Sequence, residues 1–167
     1  QRIYTYDGSW HWFKNKDNVA DMTVWNNKLI VDFGNDRGFY NYDGTWNWMS
    51  NKDDVNLMLP WDNGTTERLV VDFGGGQRIW TYDGTWTWFT NKDDVNDMVV
   101  WNQDLVVDFG GGRLIYTYDG SWNWLTNKDD VARMVTWRDA LTDLAVDFGS
   151  DRNMYNYDGT WTWMKNA

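Results

Sequence analysis

The chain contains no cysteine, a single proline and a single histidine in its 167 residues. Without cysteine it has neither a disulfide framework nor a thiolate nucleophile. The histidine, His11, occupies a repeated position that carries asparagine or threonine in every other copy, so we expect it at the surface. No Ser-His-Asp or Cys-His catalytic set can be assembled. The sequence therefore predicts a protein that is not an enzyme.

Glutamate and basic residues are also scarce. All but one of the 25 acidic residues are aspartate, which favours turns over helix interiors. The formal net charge of −10 argues against nucleic-acid binding, which depends on Lys and Arg releasing counterions. No apolar run approaches the roughly 20 residues of a membrane-spanning helix. We expect neither a nucleic acid nor a membrane as partner, and the composition leaves the compartment open.

Aromatic residues are abundant instead. They make up 19% of the chain and include 15 tryptophans, and together with valine and threonine they favour an all-β protein. One motif, Tyr-Asp-Gly-Ser/Thr-Trp-x-Trp, occurs five times. Its glycines are Gly8, Gly44, Gly84, Gly120 and Gly159, at steps of 36, 40, 36 and 39 residues. A period in this range is typical of a repeat architecture.

Each period divides into four short segments, which we name strands a, b, c and d. In the third period they are predicted at 97–101, 105–109, 113–118 and 122–125, with an Asp-Gly hairpin turn between c and d. Strand b is apolar on both faces, which indicates burial between neighbours. Every insertion among the repeats falls in the a–b link, since the other spacings are constant.

The segments Leu-Val-Val-Asp-Phe-Gly, Arg-x-x-Tyr-x-Tyr-Asp-Gly and x-Trp-x-Trp-x-Thr-Asn, which follow the strand-a tryptophan, resemble bacterial β-propeller repeats of the WD-repeat, TolB-type and tectonin-like kind. The resemblance covers the whole chain and implies four-stranded antiparallel blades, ordered a to d from axis to rim. Many proteins with such blades are lectins. The regularity of the repeats also resembles designed or reconstructed propellers.

On this interpretation residues 1–167 form one domain. A half blade at 1–15, with strands c and d only, precedes blades at approximately 19–51, 55–91, 95–127 and 131–167. A ring of four blades leaves the half blade surplus, and a ring of five lacks one a–b pair. We therefore expect partial closure or self-association into a homo-oligomer, because an open propeller exposes an apolar flank.

Several motifs have an ordinary structural explanation. The paired aspartates, as at Asp53 and Asp54, recur in the d–a links and suit turns better than a catalytic or calcium site. The Asp-Phe-Gly triplets are predicted to cap turns, and the Gly-Gly-Gly runs are b–c turns without a Walker lysine. We expect no cofactor and no metal site. Most tryptophans are expected in the core between blades.

The remaining hypothesis is carbohydrate binding. Sugars stack on aromatic rings and pair their hydroxyls with Asp, Asn and Arg, and the b–c and d–a links place such residues on one face. The predicted glycan-binding residues are Asn15, Arg37, Asn51, Lys52, Asp53, Asn91, Lys92, Asp93, Arg113, Asn127, Lys128, Asp129 and Arg152. The alternative is a structural interaction scaffold without a ligand, engineered or reconstructed, that assembles through its incomplete blade.

Overall fold

The computed structural model describes residues 2–34, 38–50, 55–74, 78–90, 95–110, 112, 114–126, 131–138, 141–149 and 153–164, the side chains of residues 2, 14–17 and 90 excepted. Eighteen strands lie in these ranges. They are β1 Arg2–Tyr6, β2 Trp10–Asp17, β3 Asp21–Trp25, β4 Lys28–Asp32, β5 Phe39–Tyr42, β6 Trp46–Ser50, β7 Leu57–Asp62, β8 Glu67–Asp72, β9 Ile79–Tyr82, β10 Trp86–Thr90, β11 Asp97–Trp101, β12 Asp104–Asp108, β13 Ile115–Tyr118, β14 Trp122–Thr126, β15 Arg133–Trp137, β16 Asp143–Asp147, β17 Met154–Tyr157 and β18 Trp161–Met164.

The strands form one hairpin and four antiparallel four-stranded sheets, which confirms the all-β prediction. The N-terminal hairpin is β1–β2, sheet 1 is β3–β6, sheet 2 is β7–β10, sheet 3 is β11–β14 and sheet 4 is β15–β18. Within each sheet the strands pair in chain order, as the a, b, c, d scheme predicts. No helix in the described ranges is long and apolar enough to cross a bilayer.

Strand boundaries follow the backbone conformation of the links. Strand c of sheet 3 begins at Ile115, two residues later than the predicted 113. The preceding Leu114 has a φ of 74°, and Arg78 and Gly38, which precede strands c of sheets 2 and 1, have φ values of 76° and 82°. A left-handed residue cannot continue an extended strand, so it sets where strand c starts. At the other end Gly120 has a φ of 125° in the Asp-Gly turn, where glycine carries no steric penalty.

Strand b supplies the centre of each sheet. Leu105, Val106 and Val107 have no exposed surface, which confirms the predicted burial on both faces. Fully burying a side chain of this size contributes about 1.5–3 kcal/mol. Val106 packs towards sheet 4, while Leu105 and Val107 pack towards sheet 2.

Four apolar clusters hold the sheets together, and each cluster joins two consecutive units of the chain. Between sheets 2 and 3 the fully buried Trp61 contacts Phe89 and Tyr118, and its Nε1 donates to the carbonyl of Gln103 at 2.7 Å. Trp101 repeats this link to sheet 4 through the carbonyl of Thr142 at 2.8 Å. The indole at the end of strand a therefore ties each of these sheets to the a–b link of the next.

The first strands of consecutive sheets also contact one another: β3 lies against β7, β7 against β11, and β11 against β15. The Asp97 carboxylate of β11 accepts the N–H of Met134 in β15 at 2.5 Å. The array does not close among the described residues. Trp10 of the N-terminal hairpin is 71% exposed and Met154 of sheet 4 is 45% exposed, although their counterparts between sheets are at least half-buried.

Candidate functional site

The predicted glycan-binding residues lie almost entirely in links that fall outside the described residues. Asn15 belongs to β2, but its side chain is not described. The other twelve, all outside the described residues, are Arg37, Asn51, Lys52, Asp53, Asn91, Lys92, Asp93, Arg113, Asn127, Lys128, Asp129 and Arg152. The described residues that flank these links show where each link begins and ends.

The b–c and d–a links of sheet 1 begin and end side by side. Gly38 directly follows the b–c link, and Ser50 directly precedes the d–a link. A Cβ added at Gly38 would lie 3.2 Å from the carbonyl oxygen of Ser50 and 3.4 Å from the Nε1 of Trp48. Trp48 is the second tryptophan of its strand d, and we call the side chain at this position the outer indole. It therefore lies next to the end of the b–c link, and only Met49 and Ser50 separate it from the d–a link.

The outer indole is exposed in every repeat. The second tryptophan of each strand d has 45–61% of its surface exposed, in contrast to the first, which is half-buried in all four sheets. The exposed residues are Trp12, Trp48, Trp88, Trp124 and Trp163. The expectation that most tryptophans lie in the core is therefore wrong for this position.

The reason lies in the position of strand d. It is the edge strand of every sheet and pairs only with strand c. In sheet 3 Trp122 lies opposite Tyr118 and packs on Phe89 of sheet 2, whereas Trp124 lies opposite Tyr116 and stays in solvent. The sequence signal was present: the second tryptophan comes just before the d–a link, on an edge strand. It was outweighed by the usual preference of tryptophan for burial.

The surroundings of the outer indoles differ between repeats. The residue directly after the b–c link is Gly38 in sheet 1, Arg78 in sheet 2, Leu114 in sheet 3 and Asn153 in sheet 4. The Arg78 guanidinium lies 4.9 Å above the ring centre of Trp88, which is a cation–π contact. The outer indoles of sheets 1 and 2 therefore have different neighbours, a glycine beside Trp48 and an arginine beside Trp88.

The Asp-Gly turns form a second repeated polar group, at the other end of strand d. In sheet 3 the Asp119 carboxylate accepts the backbone N–H and the hydroxyl of Ser121, both at 3.0 Å, and the amide of Asn123 at 3.3 Å. These bonds, the Ser121 amide foremost, hold the pKa of Asp119 below its ordinary value. A carboxylate occupied in this way stabilises the turn itself.

His11 belongs to the same turn in the N-terminal hairpin. Its Nε2 lies 3.0 Å from the Asp7 carboxylate and 3.0 Å from the Ser9 hydroxyl, in the place that Asn123 has in sheet 3. This contact is the main reason why the pKa of Asp7 is lowered. The Asp43 carboxylate has a different main partner, the Lys28 ammonium at 3.1 Å, which lowers its pKa in the same direction.

Other aspartates bond to backbone N–H groups, either within their own turn or in the next sheet. Asp32 at the end of β4 accepts the N–H of Gly34 at 3.0 Å, and Asp147 accepts that of Gly149 at 3.1 Å, so the Asp-Phe-Gly triplets of sheets 1 and 4 cap turns as the sequence predicts. Burial raises the pKa of Asp97, although the N–H of Met134 opposes the shift. The described ranges hold no group of three or more side chains suited to a metal ion.

Two concave surfaces stand out. A groove of about 610 Å³ lies between the N-terminal hairpin and β3, lined by Ile3, Tyr4, Trp10, Val19, Ala20, Asp21 and Met22. A second cavity of about 410 Å³ lies between the a–b links of consecutive sheets, lined by Pro60, Asp62, Gly64, Glu67, Val100, Gln103 and Leu141.

Comparison of the chain with protein-family models and with curated proteins finds no significant match.

Proposed function

We propose that the chain is a multivalent carbohydrate-binding protein with propeller-like blades, and that each repeat offers its outer indole as a sugar platform. The observation that carries the proposal is the exposure of the same tryptophan in all five repeats, at 45–61%. Exposed aromatic surface is unfavourable in water and is typical of binding sites when it recurs at one place. Blade-like sheets stacked in chain order, with strands a in mutual contact, support the propeller-like arrangement.

The chemistry of the platform suits a pyranose ring. The flat C–H face of the sugar stacks on the indole, while its hydroxyl groups point to the rim. The b–c and d–a links carry the predicted polar residues, such as Asn51, Lys52 and Asp53, which follow Trp48 closely in the sequence. One such contact is weak because little of the sugar is enclosed. Five contacts on one chain raise the avidity for a multivalent glycan surface by about 10²–10⁴.

Binding to a glycan array tests the proposal. The wild-type chain is expected to bind at least one class of immobilised glycan, and Trp48→Ala, Trp88→Ala and Trp124→Ala are each expected to reduce the signal. The triple variant should lose more than the three single losses added, because avidity depends on simultaneous contacts. Since these indoles are already exposed, the variants should unfold at the wild-type denaturant concentration.

Thr87→Ala is the matched control, because Thr87 precedes Trp88 on the same strand and is also exposed. It should bind as the wild type does. The proposal fails if no glycan binds above background, or if Thr87→Ala weakens binding as much as Trp88→Ala.

A second candidate function is a structural interaction scaffold, which is favoured by the two uncovered flanks of the array. Tyr6 and Trp10 at the N-terminal hairpin, and Val135 and Met154 in sheet 4, are exposed, whereas their counterparts between sheets are half-buried or buried. We expect light scattering of the full chain to show a discrete oligomer whose mass falls on dilution. A monomer at every concentration would argue against assembly of copies.

A further inference from the structure

Among the described residues, the N-terminal hairpin consists of two strands, whereas each sheet consists of four. Strand c pairs with strand b on one edge and strand d on the other in all four sheets, as Val107 with Tyr116 and Tyr116 with Trp124 in sheet 3. In the hairpin β1 corresponds to strand c and pairs with β2 alone. Its other edge faces the groove of about 610 Å³. An open strand edge presents backbone donors and acceptors that another strand can pair with.

Met22 lines the groove, and the methionines at the equivalent position of the other three sheets are all buried. Met58, Met98 and Met134 stand three residues before the strand-a tryptophan and are 3–8% exposed. Each shares a cluster with the strand-b residue of the preceding sheet, which is Ile30, Val70 and Val106 respectively. Met22 is the equivalent residue of sheet 1, and it is 56% exposed because no strand b among the described residues covers it.

We propose that this groove is a docking site for a two-stranded β-hairpin of the chain's own a–b type. The three contacts between sheets show what such a hairpin does when it is seated on this surface. Its strand b pairs with the open edge of strand c, and its apolar side chains bury the methionine of the following sheet. The proposal extends the scaffold candidate and is independent of sugar binding.

The register of the other sheets defines the occupant. In sheet 3 Leu105, Val106, Val107 and Asp108 lie opposite Tyr118, Thr117, Tyr116 and Ile115. The corresponding residues of β1 are Tyr6, Thr5, Tyr4 and Ile3, at the same distances from the Asp-Gly turn. The fitting partner therefore has a strand of the pattern Leu-Val-Val-Asp, preceded by an antiparallel strand that ends in tryptophan.

A synthetic peptide with the sequence of residues 95–110 is a direct probe, because it contains strands a and b of sheet 3 and the short link between them. With a fluorophore at its amino terminus, it is expected to bind the full chain saturably in an anisotropy titration. Met22→Lys in the protein is expected to weaken binding by at least about tenfold. The same loss is expected for a peptide that carries Val106→Asp, since Val106 of sheet 3 packs on Met134 of sheet 4.

Val135→Lys is the matched protein control, because Val135 is an exposed strand-a residue at the far flank. It should bind the peptide as the wild type does. The inference is overturned if no saturable binding occurs, or if Met22→Lys binds as tightly as the wild type. It is also overturned if Val135→Lys converts an oligomer to a monomer that still does not bind the peptide. In that last case the far flank of the array carries the contact between copies, and the scaffold candidate survives.

Discussion

Trp61→Ala is expected to lower the free energy of unfolding by about 3–5 kcal/mol. Trp61 is 1% exposed and lies between sheets 2 and 3, where it packs on Phe89 and Tyr118. Its indole also donates to the carbonyl of Gln103. The substitution therefore removes the largest fully buried side chain, leaves a cavity and deprives a carbonyl of its donor. Urea unfolding followed by tryptophan fluorescence and by circular dichroism measures the loss.

The chain contains its own control for this substitution. Trp137 is the equivalent residue of sheet 4, but no sheet covers it; it is 39% exposed and bonds to Asn156 of its own sheet. Trp137→Ala should cost about 1 kcal/mol or less, as expected for a partly exposed site. Equal losses in the two variants would show that contact between sheets contributes little at this position.

Asn96→Ala is expected to cost about 1–3 kcal/mol, the typical penalty for removing one partner of a buried polar group. The Asn96 amide donates to the Asp108 carboxylate at 3.0 Å and to the carbonyl of Val131, so it links sheet 3 to the segment that begins sheet 4. The backbone N–H of Asn96 already bonds to the Asp108 carbonyl and is unaffected. The loss therefore measures the side chain alone, by urea unfolding.

Asn56 provides an internal replicate, because its amide joins Asp72 to the carbonyl of Val95 at 2.9 Å each. Asn56→Ala should cost as much as Asn96→Ala, and the double variant should show nearly additive losses, since the two sites share no partner. Ala20 and Ala132 occupy this position in sheets 1 and 4. A loss below about 0.5 kcal/mol would place the side-chain link among ordinary surface contacts.

The strand order could be predicted because each local signal agrees with the next. The Asp-Gly turn before Ser121 fixes a hairpin, and the doubly apolar Leu105–Val107 segment fixes a central strand. The constant spacing between them leaves no room for another pairing order. Boundaries were less certain: the left-handed conformation of Leu114, which sets the start of β13, leaves no mark that distinguishes this leucine from one within a strand.

Exposure was harder to predict than pairing. Trp122 and Trp124 have the same residue type, the same strand and adjacent cross-strand partners, yet only Trp122 reaches the neighbouring sheet. Met22 likewise has the same position in its strand as three buried methionines, yet it is exposed. In both cases the deciding factor is which sheet stands alongside, and a strand pattern contains no such information. The glycan-binding role of the Asn-Lys-Asp residues in the d–a links stays a prediction.

Each apolar cluster is shared by only two successive units of the described chain. The packing of the described sheets therefore sets no particular number of units. Gene duplication can insert a further unit, which covers one flank and presents a new flank of the same kind. Deletion of a unit does the reverse. Such a lineage can change its number of exposed outer indoles in single evolutionary steps, while each remaining unit keeps the geometry of its contacts with its neighbours.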